Sequence, residues 1–491
     1  MKQENLFDQL QGSRNNYQSP PSLDKFQGAL IFSAIGDALG WPTEFLKPQG
    51  TYKPPFGLPV RDFVEWRKLV GGKWWGYEEI IAPGEYSDDT QLTLAVARCI
   101  SDIGVFEPER FAYEELPLWL HYERGGGRSI KAAARKLISK RASWLENFYK
   151  QGDINYMDAG ANGAAMRNLP ISLVNFTDEM QLIRDSFLNA IITHGHPRAI
   201  LGAIIFGLAV KYVLTESNTT ASTLIEYLSS GMEQVGKAVA NDNRVSRWLR
   251  NREKTDHEKE KPFKAVFYEA RDEASDYLEA IQTSLGSDTR SYYDFVGALN
   301  PATKGSGLAT VCAAIYLFLK HTDQPEEAMI NAINILGSDT DTIAVFLGSL
   351  LGAFHGLQAV PPHLAEKIQD RDYILKMAAR LHAIATDEPQ EQSAIQRNVE
   401  RREAYLRILA WEIGLHEMFW DAIDIGGIVA HPTLGLGTIT RKIEKSIPQE
   451  NYIAKLIHIN FNCGQSCVFH SRVQNGDRLS ESLSRAIEQA L

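Results

Sequence analysis

Four cysteines in 491 residues (Cys99, Cys312, Cys463 and Cys467) are too few to staple a chain of this length, so a disulfide framework is excluded and the cytoplasm is the expected compartment. Long apolar runs are missing too. The stretches 199–210 and 343–351 fall short of the ~20 residues a bilayer-spanning helix needs, and no membrane partner is expected. The opening MKQENLFDQLQGSRNNYQSPP has no apolar segment of the kind a secretion signal carries. Positive charge is not in excess: 51 Lys and Arg face 61 Asp and Glu, a formal net charge of −10, which argues against whole-surface attraction to nucleic acid or anionic lipid. Few stretches before residue 420 alternate with the two-residue period of strands.

What is present is the composition of a globular chain with a large core, 44% hydrophobic and 23% charged. Residues 1–22 read as a flexible polar tail ending at Pro20 and Pro21. Helical periodicity covers 26–39, 91–100, 108–122, 181–193, 199–214, 307–319, 325–336, 340–354 and 365–385, which predicts a mainly α domain over 23–390. The charged stretch 240–290 reads as a solvated helix pair. A linker helix is expected in 391–424. From 425 to 491 the texture changes to short β-branched runs with Gly-rich turns, which predicts a small β-barrel.

Two segments concentrate acids where an apolar helix begins: Ser87-Asp88-Asp89-Thr90 and Asp339-Thr340-Asp341-Thr342. Either alone is explained by helix capping and by the favourable interaction of acids with a helix N-terminus. Two such turns facing each other would bring four carboxylates together with the hydroxyls of Ser87 and Thr342. Such a cluster cannot stay ionised without cations, and an oxygen-only donor set suits Mg²⁺, Ca²⁺ or Mn²⁺. A third segment, Gly36 to Glu44, has Ala34, Gly36, Ala38 and Gly40 for close backbone approach, Pro42 to end the helix, and Glu44 in the turn beyond. A fourth, Asp158 to Arg167, is a Gly-rich turn able to offer amides to a phosphate, with Arg167 in support. His194-Gly195-His196-Pro197 follows a helix and reads as capping or substrate positioning rather than zinc ligation.

In this order, GDALGWPTEF (36–45), YSDDTQLTLA (86–95), GANGAAMRNLP (160–170), THGHP (193–197), KGSGLATVCAAIYLFL (304–319) and LGSDTDTIAVFLGSLLGAFHG (336–356) resemble the ADP-ribosylglycohydrolase family. The resemblance covers roughly 24–385. It implies an all-helical fold and a hydrolase that removes ADP-ribose from a modified protein, nucleic acid or small molecule. It also implies two Mg²⁺ ions, with Mn²⁺ as the alternative, held by Ser87, Asp88, Asp89, Asp339, Asp341 and Thr342. Asp89 or Asp341 is then the proton acceptor, and Glu44 lies near the scissile ribose. Asn162, Gly163, Ala164 and Met166 match a loop contacting the pyrophosphate and distal ribose, and His194 a position lining the cleft. Another reading drawn from the same resemblance is an immunity or binding protein that neutralises an ADP-ribosylating toxin by occlusion.

The segment Gly427 to Ile439, with Val-x-His-Pro and Gly-x-Gly elements, looks like the opening of SH3-like or tudor-like barrels that serve as interaction modules. It implies a protein or nucleic-acid contact, with Arg441, Lys442 and Lys445 as a basic edge. Cys463 and Cys467, with His458 and His470 nearby, fit no common zinc-finger spacing.

Overall fold

Helices that are apolar on every face must be enclosed on every face, and in this chain they frame a cleft. α1 (Leu23–Gly40), α3 (Pro197–Thr215), α4 (Gly307–His321) and α5 (Thr340–His355) are largely of this kind, and the more polar α2 (Asp88–Arg98) and the amphipathic α6 (Arg371–Ala385) pack beside them. The computed structural model describes residues 20–48, 50, 53–70, 77–139, 141–255, 261–386, 400–415, 419–447 and 452–474. Most of the expected tail, the polar stretch 387–399, part of the expected linker helix and the end of the expected barrel lie outside the described residues.

α1 and α5 form the centre. They run antiparallel in backbone contact: a β-carbon on Gly36 would stand 2.3 Å from Ala344 O, one on Gly348 2.3 Å from Phe32 O, and one on Gly352 2.2 Å from Gly28 C. No side chain fits there, so the small-residue spacing of the sequence sets the crossing. α1 ends in a single 3-10 turn, Trp41–Thr43, where Pro42 interrupts the helical ladder. α3 is long and apolar enough by length and composition to cross a membrane (19 residues, mean hydropathy 1.7), longer than the apolar run alone suggests. It is nonetheless mostly buried, and it packs on α4 and α5 as a core helix.

Two expected helices are interrupted. In place of 108–122 stand Pro108–Arg110, a π-turn at Phe111–Glu115 and Leu116–Trp119, because Pro117 has no amide hydrogen to give. In place of 365–385, Asp370 adopts left-handed backbone (φ 55°) and the helix restarts at Arg371. The stretch 240–290 contains the helices Asn243–Thr255 and Phe263–Ser284.

Among the described residues two small hairpins precede residue 420. One is β1 (Trp66–Val70) with β2 (Tyr77–Ile81), paired antiparallel from Trp66↔Ile81 to Val70↔Tyr77. The other joins Lys150–Gln151 to Ile154–Asn155. At the C-terminal end β3 (Ile428–His431), β4 (Gly435–Ile447), β5 (Tyr452–Phe461) and β6 (Ser466–Gln474) form an antiparallel sheet in that order, with a bulge between Ile439 and Arg441. Among the described residues this sheet is open rather than closed into a barrel, because the helical body covers its apolar face. Val429, Ile439, Ile457, Ile459, Phe461 and Phe469 belong to the main core.

Candidate metal centre and catalytic cleft

The turn before α2 is fixed from two sides. Ser87 caps the helix, its hydroxyl accepting the Asp89 amide at 3.2 Å. Beneath it the buried Asp37 carboxylate of α1 accepts the amides of Ser87 (3.0 Å) and Thr90 (2.9 Å) and the Thr90 hydroxyl (2.6 Å). The turn before α5 is tied to α1 by the Thr340 hydroxyl, which donates to Gly40 O at 2.9 Å. With both turns held against one helix, Asp88, Asp89, Asp339 and Asp341 share one space. Asp341 Oδ1 accepts the Thr342 amide at 2.9 Å, which fixes that carboxylate at the helix start.

Glu44 enters the same space. Oxygens of Glu44, Asp339 and Asp341 lie within 4.8 Å of one another, and among the described residues this is the single group of three or more His, Cys, Asp or Glu arranged to hold a metal. Cys463, Cys467, His458 and His470 do not form one. Burial and mutual repulsion raise Glu44, Asp88, Asp89 and Asp341. Glu44 is pushed up to about 8, first by burial and then by Asp339. Asp88 is pushed up to about 7, first by burial and then by Glu123. Asp89 and Asp341 stand well above the carboxylate range, chiefly through burial, with Asp37 and Glu44 respectively as the next cause. One oxygen of Asp89, Oδ2, is buried without a hydrogen-bond partner. Crowded acids, an orphaned buried oxygen and a hard-donor set are what a divalent cation satisfies.

A lysine that the sequence reading missed completes the surroundings. Lys68, on β1, has Nζ 4.3 Å from the centre of the Trp41 ring. Nζ and Asp88 Oδ1 both lie 3.0 Å from where a β-carbon on Gly125 would stand, so ammonium and carboxylate are neighbours across one gap. Burial lowers the Lys68 pKa, opposed by Glu44, Asp88, Glu123 and Asp341. The signal was the alternation of inward Trp66, Lys68 and Val70, masked by a sequence dominated by helices.

The opposite wall is the loop 160–167. The Asn162 side-chain amide donates to Asp339 Oδ2 at 3.0 Å, and the Asn162 amide to Gly305 O at 2.9 Å. Ala164 and Met166 have buried side chains, and Met166 O accepts the Thr93 hydroxyl of α2. His194 lies beneath this loop rather than on the cleft surface. It is 1% exposed, bonded through Nδ1 to Thr193 Oγ1 at 2.7 Å and held neutral by burial, its pKa near 3. Arg167 also points inward, to Asn189 Oδ1, Gly163 O, Asn189 O and Thr193 Oγ1. It therefore props the loop instead of touching a phosphate. His196, as expected, caps a helix: its Nδ1 accepts the Arg198 amide at the start of α3.

A helical body with two acid-bearing turns clamped side by side offers a cluster of oxygen donors suited to a divalent cation. The family model described as ADP-ribosylglycohydrolase matches residues 18–391, and the chain belongs to that family of glycosyl hydrolases. It is 22% identical to the ADP-ribosylarginine hydrolase Tri1 of Serratia proteamaculans, over 75% of this chain and 81% of that protein. It is 26% identical to the ADP-ribosylhydrolase ARH3 of Gallus gallus, over 75% of this chain and 95% of that protein. A third relative, the ADP-ribosyl-[dinitrogen reductase] glycohydrolase of Rhodospirillum rubrum, is 29% identical over 40% of this chain and 60% of its own length.

Proposed function

We propose that this chain is a Mg²⁺-dependent hydrolase that cleaves the bond between C1 of the terminal ribose of ADP-ribose and a protein acceptor. The observation that carries the reading is the convergence of Glu44, Asp339 and Asp341 within 4.8 Å, beside the partnerless Asp89 Oδ2. The names of the relatives, which describe removal of ADP-ribose from arginine or from dinitrogen reductase, support a protein acceptor.

The residues that would hold the cation are Glu44, Asp88, Asp89, Asp339 and Asp341, with the hydroxyls of Ser87 and Thr342 at the edge. When bound, it supplies a fixed positive charge and Lewis acidity at the ribose. Glu44 thus joins the ligand set instead of only aiming at the substrate. Asp89 and Asp341 stand on rigid helix starts, where either can take a proton from an attacking water as an oxocarbenium-like ribose develops. Asn162 fixes the opposite wall by its bond to Asp339. Glycosidic cleavage needs little else from the protein than orientation and electrostatics.

The test is release of ADP-ribose from a panel of ADP-ribosylated proteins by the purified full chain with Mg²⁺. Chelation should abolish it, and Asp341→Asn should cut turnover by at least ~10²-fold. Undiminished release by Asp341→Asn would overturn the reading.

A further inference from the structure

The β-sheet that follows the family-matched segment is tied to the cleft at three places. Across the hairpin, Tyr77 and partly buried Val70 pack with Ala454, Leu456, Val468 and Ile443 of the sheet in a small separate core. The Tyr77 hydroxyl and His470 Nδ1 lie 2.6 Å apart, and the His470 amide donates to His121 O. The turn between β5 and β6 holds both ends of α2. Asp370 accepts the Tyr86 hydroxyl at 2.6 Å and the Ser466 amide at 3.0 Å, and Tyr86 immediately precedes the Ser87 motif. At the other end Arg98 reaches Gln465 Oε1 at 2.8 Å.

The hairpin has alternating burial. Trp66, Lys68 and Val70 turn inward from β1, and Tyr77, Glu79 and Ile81 from β2. Its inner face is pinned by Trp66 edge-on to Trp41, with ring centres 5.1 Å apart, and by the buried Glu79–Arg124 pair at 3.1 Å. Whatever seats Tyr77 and Val70 on the sheet therefore also fixes how far Lys68 reaches toward Asp88 and Glu44. An ammonium in that position and a divalent cation repel each other for the same carboxylates.

We propose that the C-terminal sheet is a working part of the hydrolase site. It seats the β1–β2 hairpin so that Lys68 stands as a tethered positive charge against the metal-binding carboxylates and sets how tightly they hold a divalent cation. Lys68 and Tyr77 are positioning residues in this scheme, the second acting through the first. The proposal rests on the metal-dependent reading above.

The experiment is calorimetric titration of the metal-stripped full chain with Mg²⁺ and, separately, Mn²⁺, each variant first checked for a cooperative thermal transition. Lys68→Met should bind either ion about tenfold more tightly, the scale expected when a unit charge is removed beside a divalent ion in a partly solvated site. Lys68→Arg, which keeps the charge, should stay within about threefold of the wild type. Tyr77→Ala should shift affinity in the same direction by less, and Lys68→Met/Tyr77→Ala should match Lys68→Met alone. Unchanged or weaker metal binding in Lys68→Met overturns the proposal while leaving the hydrolase reading intact. So does a Tyr77→Ala shift that persists in the Lys68→Met background, because the sheet would then act on the ligands without the lysine. Wild-type protein that takes up neither ion would defeat both.

Discussion

The carboxylate of Asp37, in the last turn of α1, accepts both the amide and the hydroxyl of Thr90, at 2.9 and 2.6 Å, with no part of Asp37 exposed. One acid on the first helix thus orients the first turn of α2, which carries Asp88 and Asp89. Asp37→Asn places an amide donor where acceptor oxygens face N–H and O–H groups. It should cost about 1–3 kcal/mol in stability, the usual penalty for a buried polar group left unpaired. Thermal unfolding measures the loss, and Mg²⁺ titration should show weaker binding although Asp37 is outside the ligand set.

The raised carboxylates link stability to pH. An acid whose pKa is higher folded than unfolded binds protons more tightly in the fold, so its contribution falls as pH rises between the two values. For Glu44 that window runs from 4.5 to about 8. Metal-free Glu44→Gln, which cannot ionise, should therefore gain in Tm relative to the wild type as pH is raised across it. Saturating Mg²⁺ should reverse the ranking at pH 8, because the cation binds the ionised form. A Tm difference that stays constant over this range would contradict the assignment.

The crossing of α1 and α5 leaves no space for a methyl group. Gly352→Ala puts a β-carbon 2.2 Å from backbone of Gly28, and Gly36→Ala one 2.3 Å from Ala344 O. Backbone cannot swing aside as a side chain can. Each change should lower stability by about 1–3 kcal/mol or more. Gly36→Ala, nearer the Glu44 and Asp341 end, should impair metal binding further. Denaturant unfolding and metal titration separate the two effects.

Arg98 and Glu115 form a buried two-point ion pair, with Nε–Oε1 at 2.9 Å and Nη2–Oε2 at 2.7 Å. Removing one partner leaves the other charged and enclosed, so Arg98→Met or Glu115→Gln should cost about 3–5 kcal/mol. The double variant Arg98→Met/Glu115→Met should be less damaged than the sum of the single changes, which a double-mutant cycle in denaturant measures.

Much of the α-helical frame was legible because its cause is local. Apolar periodicity marks helices such as α3 and α5, and the glycines of α1 announce a backbone contact that the structure contains. The acid-rich turns were legible for the same reason, since each sits at a helix start. What escaped was the cross-chain part of the site. Nothing near Lys68 in sequence says that its ammonium faces Asp88 across a gap, and nothing near Asp37 says that it supports Thr90. Arg167, a cation beside a Gly-rich turn, looks like a phosphate ligand until Asn189 and Thr193 are seen to occupy its donors. The hairpin of Trp66–Val70 with Tyr77–Ile81 is not legible, because Tyr-Glu-Glu-Ile-Ile does not alternate in residue type although it alternates in burial. Its strands of five residues are too short to compete with the helical signal around them.

Arg167 has an effect that reaches past its own bonds. Among the described residues its hydrogen-bond partners are neutral oxygens, and burial lowers its pKa to about 9. Dipoles solvate the guanidinium without cancelling its charge, so the loop Asn162–Ala164 rests on an enclosed cation. That loop carries Asn162, whose side chain holds Asp339. Loss of the guanidinium would therefore be felt two bonds away, in the seating of an acid that Arg167 never touches.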